Sequence, residues 1–301
     1  MITYSAIGQN KRRSVALIFV FLLIITALGY VFSRVYEQPS ILAFAVVFSC
    51  ISAWVSYYFS DSITLAMSHA REIDRKGSPD LYKLVENLTI TAGLPLPRIY
   101  IIEDTAINAF ATGRDPKHAV VCVTTGALTR LNKTELEGVI AHELSHVGNY
   151  DIRFMTLVVV LVGIITLVAD WFVRIGMWGG GHKRDDREGG NNQAFAIIGL
   201  ILALLSPIIA TLIQLAVSRQ REYLADASGA LMTRYPEGLA SALEKIAADK
   251  EPLEAANKAT AHLYIANPLK NQGDSVGWFA NLFNTHPPVQ DRIKRLREMN
   301  L

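Results

Sequence analysis

The sequence predicts a mostly α-helical, polytopic membrane protein with about four transmembrane helices and a cytoplasmic metal-binding domain that contains a small β-sheet. Three observations predict it. Hydrophobic residues make up 51% of the 301 residues and the mean hydropathy is +0.26, more apolar than an ordinary soluble domain. The excess is gathered into blocks free of charge. Between the second and third blocks, two histidines stand four residues apart, a spacing that puts both imidazoles on one helix face.

Residues 14–32 and 41–59 are each nineteen residues without a charge, long enough as helix to cross a hydrocarbon core of ~30 Å. A third block covers residues 154–169 and a fourth 194–217, where Pro207 is tolerated as a kink in a membrane helix. Arg153, Asp170, Arg174 and Arg219 all fall at block ends, which avoids the ~2.5–3.5 kcal/mol cost of a charge at mid-membrane. The first block has no small-residue cleavage site after it and reads as a retained anchor. The chain then divides into a two-helix anchor (1–60), a polar part (61–151), a second helix pair (152–217) and a helical C-terminal part (218–301).

Lys11, Arg12 and Arg13 precede the first block, against a lone Arg34 in the loop that follows it, which puts the N-terminus and residues 61–151 in the cytoplasm. The loop 174–193 opposes this pattern, because Arg174, Lys183, Arg184 and Arg187 make it basic for an external loop. Blocks three and four therefore read either as two spans or as a shallow, cavity-lining hairpin. Glycine runs at 179–181 and 189–190 mark the loop as flexible.

In the polar part, Ser78-Pro79-Asp80 opens a helix that Gly93 closes. Two β-type runs, 98–102 and 119–124, flank the segment 108–113 and predict a small sheet. Asn132 then caps a helix, with Glu135 three residues on and Leu136, Val139 and Ile140 as its apolar face. Gly138 is the one residue there that opposes helix, by ~1 kcal/mol against alanine. Helices are expected again near 237–248, 254–266 and 289–299.

The capped helix carries His142-Glu143-Leu144-Ser145-His146. Two imidazoles one turn apart can hold one Zn2+, and the glutamate between them is placed as general base on a water. A chance match to this pattern is expected in about one chain in a hundred of this composition. Zinc in a catalytic site takes a third protein ligand and keeps one position open, and Glu222 suits that role, with Asp226 one turn later to accept from a ligating imidazole. His146 lies eight residues before block three and Glu222 five after block four, so an antiparallel span pair returns Glu222 to the histidines. The metal then stands roughly 8–12 Å from the membrane surface, at ~1.5 Å of helix rise per residue.

These residues resemble the HtpX-like membrane zinc endopeptidases, relatives of the CAAX prenyl proteases, over nearly the whole chain. The resemblance rests on Asn108-Ala109-Phe110, the His142–His146 motif with Asn149 and Asp151, Arg221-Glu222-Tyr223 with Asp226, and His286-Pro287-Pro288, in that order. It implies a zincin-like, cytoplasm-facing protease of a bacterial or archaeal membrane, active in stress response and protein quality control on misfolded or damaged membrane proteins, and prone to cleave itself. It also implies that Asn108, Ala109 and Phe110 belong to an edge strand that pairs with substrate backbone. By the same resemblance His286 is a possible oxyanion stabiliser.

Two other functions compete on the same residues: a non-catalytic membrane scaffold with structural zinc, and a prenyl-protein-processing protease. Protein or peptide substrates and the lipid bilayer are the expected partners. The net charge of +2 suggests no nucleic-acid partner. Cys50 and Cys122 have no partner spacing for zinc or redox chemistry and read as inert thiols, and His69, His118, His182 and His262 as surface or packing residues.

Overall fold

The computed structural model describes residues 2–35, 37–179, 219–249, 251, 263–265 and 287–299. Helices α1 (Ile2–Val35) and α2 (Pro39–Met67) contain the first two apolar blocks and extend beyond them, because the polar residues flanking each block continue the helix. A short strand β1 (Arg71–Ile73) and helix α3 (Pro79–Ala92) follow, then β2 (Arg98–Ile102), β3 (Ala109–Thr112) and β4 (Val120–Thr124). Helix α4 (Thr125–Arg130) leads to α5 (Lys133–Gly148), and α6 (Asp151–Gly179) contains the third block. The C-terminal part supplies α7 (Arg219–Thr233), α8 (Pro236–Ala248) and α9 (Val289–Arg297).

Among the described residues, two helices are long and apolar enough to cross a membrane, over Ile7–Arg34 and Pro39–Met67. The distribution of side chains on α2 is that of a helix facing lipid. Its small residues Ala45, Ser49, Ser52, Ala53 and Ser56 point inward, while Phe44, Val47, Ile51, Trp54 and Tyr58 are exposed. A soluble helix would show the reverse, since water penalises exposed apolar area and lipid does not. Small residues also allow close approach: a Cβ on Gly29 of α1 would fall 2.3 Å from the Ala45 Cβ. Leu17, Phe21 and Ile25 of α1 complete this layer against Phe154, Leu157 and Leu161 of α6.

The sheet order is β1-β2-β4-β3, with β2 and β4 parallel and the two outer pairings antiparallel. Both faces are covered, so alternate residues of β2 and β4 enter different cores. Ile99, Ile101, Val121 and Val123 face the core made by α3, α5, α8 and α9. Tyr100, Ile102, Val120 and Cys122 face Leu65 at the end of α2 and Met155 and Val159 of α6. The sheet thus joins the long apolar helices to the polar domain.

Helix α5 begins with a full capping box, Asn132 accepting from the Glu135 N–H at 2.9 Å and the Asn132 N–H donating to Glu135 at 2.8 Å. Its C-terminus turns through Asn149 and Tyr150, the latter at φ 61°, into α6 at an angle of 84°. The glycine that opposes helix has a packing reason: a Cβ on Gly138 would meet the Leu239 nitrogen of α8 at 2.6 Å. Strand β1 and helix α4 are too short to carry a periodic signal in the sequence, which predicts neither. The fourth block lies outside the described residues. So does the expected helix 254–266 except for residues 263–265, which are not α-helical.

Candidate metal centre

Helix α5 presents His142 and His146 on one face, their rings at 87° to one another with centroids 4.8 Å apart. Each ring is held from behind. His142 Nδ1 lies 2.9 Å from Asp226 Oδ1, and His146 Nδ1 lies 3.0 Å from Asp151 Oδ2. An ionised carboxylate can only accept, so each Nδ1 donates its hydrogen, and in the neutral ring Nε2 then carries the lone pair that can bind a metal. The two Nε2 atoms are 3.2 Å apart.

Glu222 approaches from α7, its carboxylate oxygens 3.8 Å from His142 Nε2 and 3.6 Å from His146 Nε2. These three side chains offer donor atoms within 4.8 Å of one another, and all three are buried. Tetrahedral zinc with bonds of about 2.0–2.1 Å separates its ligand atoms by roughly 3.3 Å. The donor set fits such an ion, toward which both Nε2 atoms and the Glu222 carboxylate converge. Close packing of α7 on α5 makes the convergence possible: a Cβ on Gly229 would sit 3.0 Å from the His142 nitrogen.

Glu143 is buried and its carboxylate accepts from the Ala111 N–H of β3. Burial is the main cause that pushes its pKa up, to about 8. For His146, burial disfavours the charged ring, but the Asp151 hydrogen bond and the charges of Glu222 and Asp151 outweigh it and raise the pKa to about 9. His142 is lowered by burial and by Arg292, against the pull of Asp226. Asp226 is held down to about 2, since Arg292 and His142 together overcome its burial.

The structure therefore brings His142, Glu143, His146, Glu222 and Asp226 together in one buried cluster. Asn108, Ala109 and Phe110 lie at and beside β3, which is an edge strand among the described residues. The edge already has partners: the Ala109 carbonyl accepts from the Ile265 N–H at 3.2 Å, and the Ala109 N–H donates to Asn108 Oδ1 at 3.1 Å. The Phe110 side chain is buried against Tyr264, with ring centroids 5.0 Å apart. His286 lies outside the described residues.

Two residues of the cluster escaped the sequence reading. Arg292 of α9 is fully buried, donates to Asp226, and places Nη2 3.4 and 3.5 Å from the two ring nitrogens of His142. In sequence it looks like any arginine of a charged amphipathic helix, and no spacing marks it. Asp151 is marked in the sequence only by the family motif. Its place five residues after His146, across the helix end, was the available signal.

Comparison with known proteins agrees with this geometry. The profile of Peptidase family M48 matches residues 75–300. A protein named Protease HtpX homolog from Tropheryma whipplei (strain Twist) is 48% identical over 296 residues, covering 98% of both chains. Another with that name, from Dictyoglomus thermophilum (strain ATCC 35947 / DSM 3960 / H-6-12), is 46% identical over 302 residues, covering 98% of this chain and 94% of its own. Among solved structures, S. mikatae Ste24p shares the fold with a TM-score of 0.52 at 17% identity, over 94% of this chain and 67% of that one. Full-length identity at this level, with a buried two-histidine, one-glutamate cluster, places the chain in peptidase family M48, among the HtpX-like membrane metalloproteases.

Proposed function

We propose that the chain is a zinc endopeptidase that hydrolyses peptide bonds of misfolded or damaged membrane proteins at the cytoplasmic face of the cell membrane. The observation that carries this reading is the convergence of three buried donor side chains from α5 and α7 beside a fourth buried acid, Glu143. His142, His146 and Glu222 would hold one Zn2+, which when bound supplies a Lewis acid for the scissile carbonyl and acidifies a water. Glu143 takes the proton of the attacking water and delivers it to the leaving amine. Asp226 and Asp151 keep both rings in the tautomer that binds metal.

Asn108, Ala109 and Phe110 provide the edge on which substrate backbone pairs, as in β-strand addition. An incoming strand replaces the Ile265 contact on the Ala109 carbonyl. The Ala111 N–H bond to Glu143 ties the general base to the same edge. His286 would stabilise the oxyanion.

The topology reading has support of its own. Asn10, one residue before Lys11, Arg12 and Arg13, touches Asn149 and Asp151, so the basic end of α1 lies beside the metal cluster. Positive charge favours the cytoplasmic side, hence a cytoplasmic site. Helix α6 leaves this end at Asp151 and Glu222 lies back at it, which favours residues 154–169 and 194–217 as a third and a fourth span. The four-part division at 60, 151 and 217 follows. The scaffold reading is disfavoured, because closed structural zinc sites show four protein ligands and a scaffold has no use for Glu143.

The test is cleavage of an unfolded protein by the detergent-purified chain, with zinc content measured in parallel. Glu143→Gln should keep zinc and lose on the order of 10²-fold or more in rate. Stoichiometric zinc with undiminished cleavage in that variant would remove Glu143 from the mechanism.

A further inference from the structure

We infer that Asn10, on membrane helix α1, is a positioning residue for the metal centre: it holds Asp151 in the orientation in which Asp151 fixes the His146 ring. The inference rests on His146 being a metal ligand. Asn10 is 2% exposed and its side-chain amide nitrogen makes two hydrogen bonds. One goes to the Asn149 carbonyl at 3.0 Å, the other to Asp151 Oδ1 at 2.6 Å. The opposite carboxylate oxygen, Oδ2, receives His146 Nδ1 at 3.0 Å.

Asp151 is therefore held at both ends, by α1 on one oxygen and by the imidazole on the other. Free to rotate, a carboxylate does not define a ring plane. Pinned from behind, it does. The Asn149 bond adds a second restraint, because Asn149 ends α5 and begins the 84° corner into α6. A neutral amide suits this place, since it orients Asp151 while leaving the carboxylate its full charge for the ring. Arg221 Nε, 3.7 Å from the same Oδ1, is too far for a hydrogen bond and adds charge rather than direction.

The M48 profile begins at residue 75, so this support comes from outside the segment that defines the family. An amide buried among membrane helices also has a plainer use, as a polar contact that fastens one helix to another. The two roles predict different things. Fastening affects stability alone, whereas positioning alters the affinity and ligand field of a metal that Asn10 never touches.

The experiment uses the full chain in detergent, with Zn2+ affinity from competition against a chelator of known strength and the visible spectrum of the Co2+-loaded protein. Asn10→Leu should weaken Zn2+ by about 3–10-fold, at or below the lower end of the range for residues that orient ligands, and shift the Co2+ bands. Asn10→Asp, which keeps the size and removes the donor, should do the same and serves if Asn10→Leu fails to fold. Ser14→Ala is the packing control, because Ser14 is buried one turn on in α1 and, among the described residues, bonds its own helix at the Asn10 carbonyl. It should leave both readouts unchanged. In an Asp151→Asn background, Asn10→Leu should cost nothing further.

Wild-type affinity and spectrum in both Asn10 variants overturn the inference. So does equal loss in Ser14→Ala, or full additivity with Asp151→Asn. A wild-type chain that takes up no stoichiometric zinc overturns the ligand set beneath it instead.

Discussion

Arg292 grips Asp226 with two hydrogen bonds, Nε to Oδ2 at 2.9 Å and Nη2 to Oδ1 at 2.7 Å, and both side chains are buried. This pair joins the last helix to α7 directly behind His142. Arg292 also donates to the Ile265 carbonyl at 3.1 Å, so one guanidinium binds three parts of the chain. Replacing it by methionine leaves Asp226 buried with the imidazole as its remaining strong partner. Breaking a buried pair from one side costs about 3–5 kcal/mol. Arg292→Met should therefore lower the thermal unfolding temperature in detergent and reduce the zinc retained after dialysis.

Zinc uptake should depend on pH with a definite sign. In the metal-free chain His146 is raised to about 9, so at neutral pH its ring carries a proton that a metal must displace. As pH falls below 9 the protonated fraction grows, and apparent affinity should fall by about tenfold per unit for this one proton. Chelator competition at pH 6, 7 and 8 should show affinity rising with pH, with proton release on metal addition in weak buffer. A flat profile would mean that His146 is already neutral.

Glu222 is the ligand whose loss should be most selective. Glu222→Gln keeps the shape of the side chain and removes its charge. It should lower zinc affinity by at least about 100-fold, more than a residue acting through a ligand would. Circular dichroism should show the helical fold retained. Equal zinc content in wild type and variant would remove Glu222 from the ligand set.

Gly138→Ala sets helix propensity against packing. By propensity alone, alanine gains about 1 kcal/mol in the middle of a helix. Its Cβ, however, would fall 2.6 Å from the Leu239 nitrogen and 2.8 Å from the Leu239 Cα, backbone that cannot step aside. Overpacking of this kind costs about 1–3 kcal/mol, so the variant should be less stable, with α8 forced off α5. Thermal unfolding of the purified variant is the check.

What the sequence alone determined was local or periodic. The capping box at Asn132, the four-residue spacing of His142 and His146, and the charge-free runs that became α1 and α2 all depend on neighbours within a turn or on a single helix face. Glu222 and Asp226 are marked as candidates by the sequence too, because they sit one turn apart and a catalytic zinc takes a third protein ligand. The pattern of its residues carries no signal for the edge position of β3, which only the family motif implies; among the described residues the sheet order puts β3 at an edge. Tertiary structure decided the rest. Asp226 and Arg292 are 66 residues apart, and Asn10 and Asp151 are 141 apart, so no local preference pairs them. An arginine in a charged helix and an asparagine before a basic cluster look ordinary until packing removes them from water. Once buried, each must find a partner, and the nearest available ones were the acids that hold the two histidines.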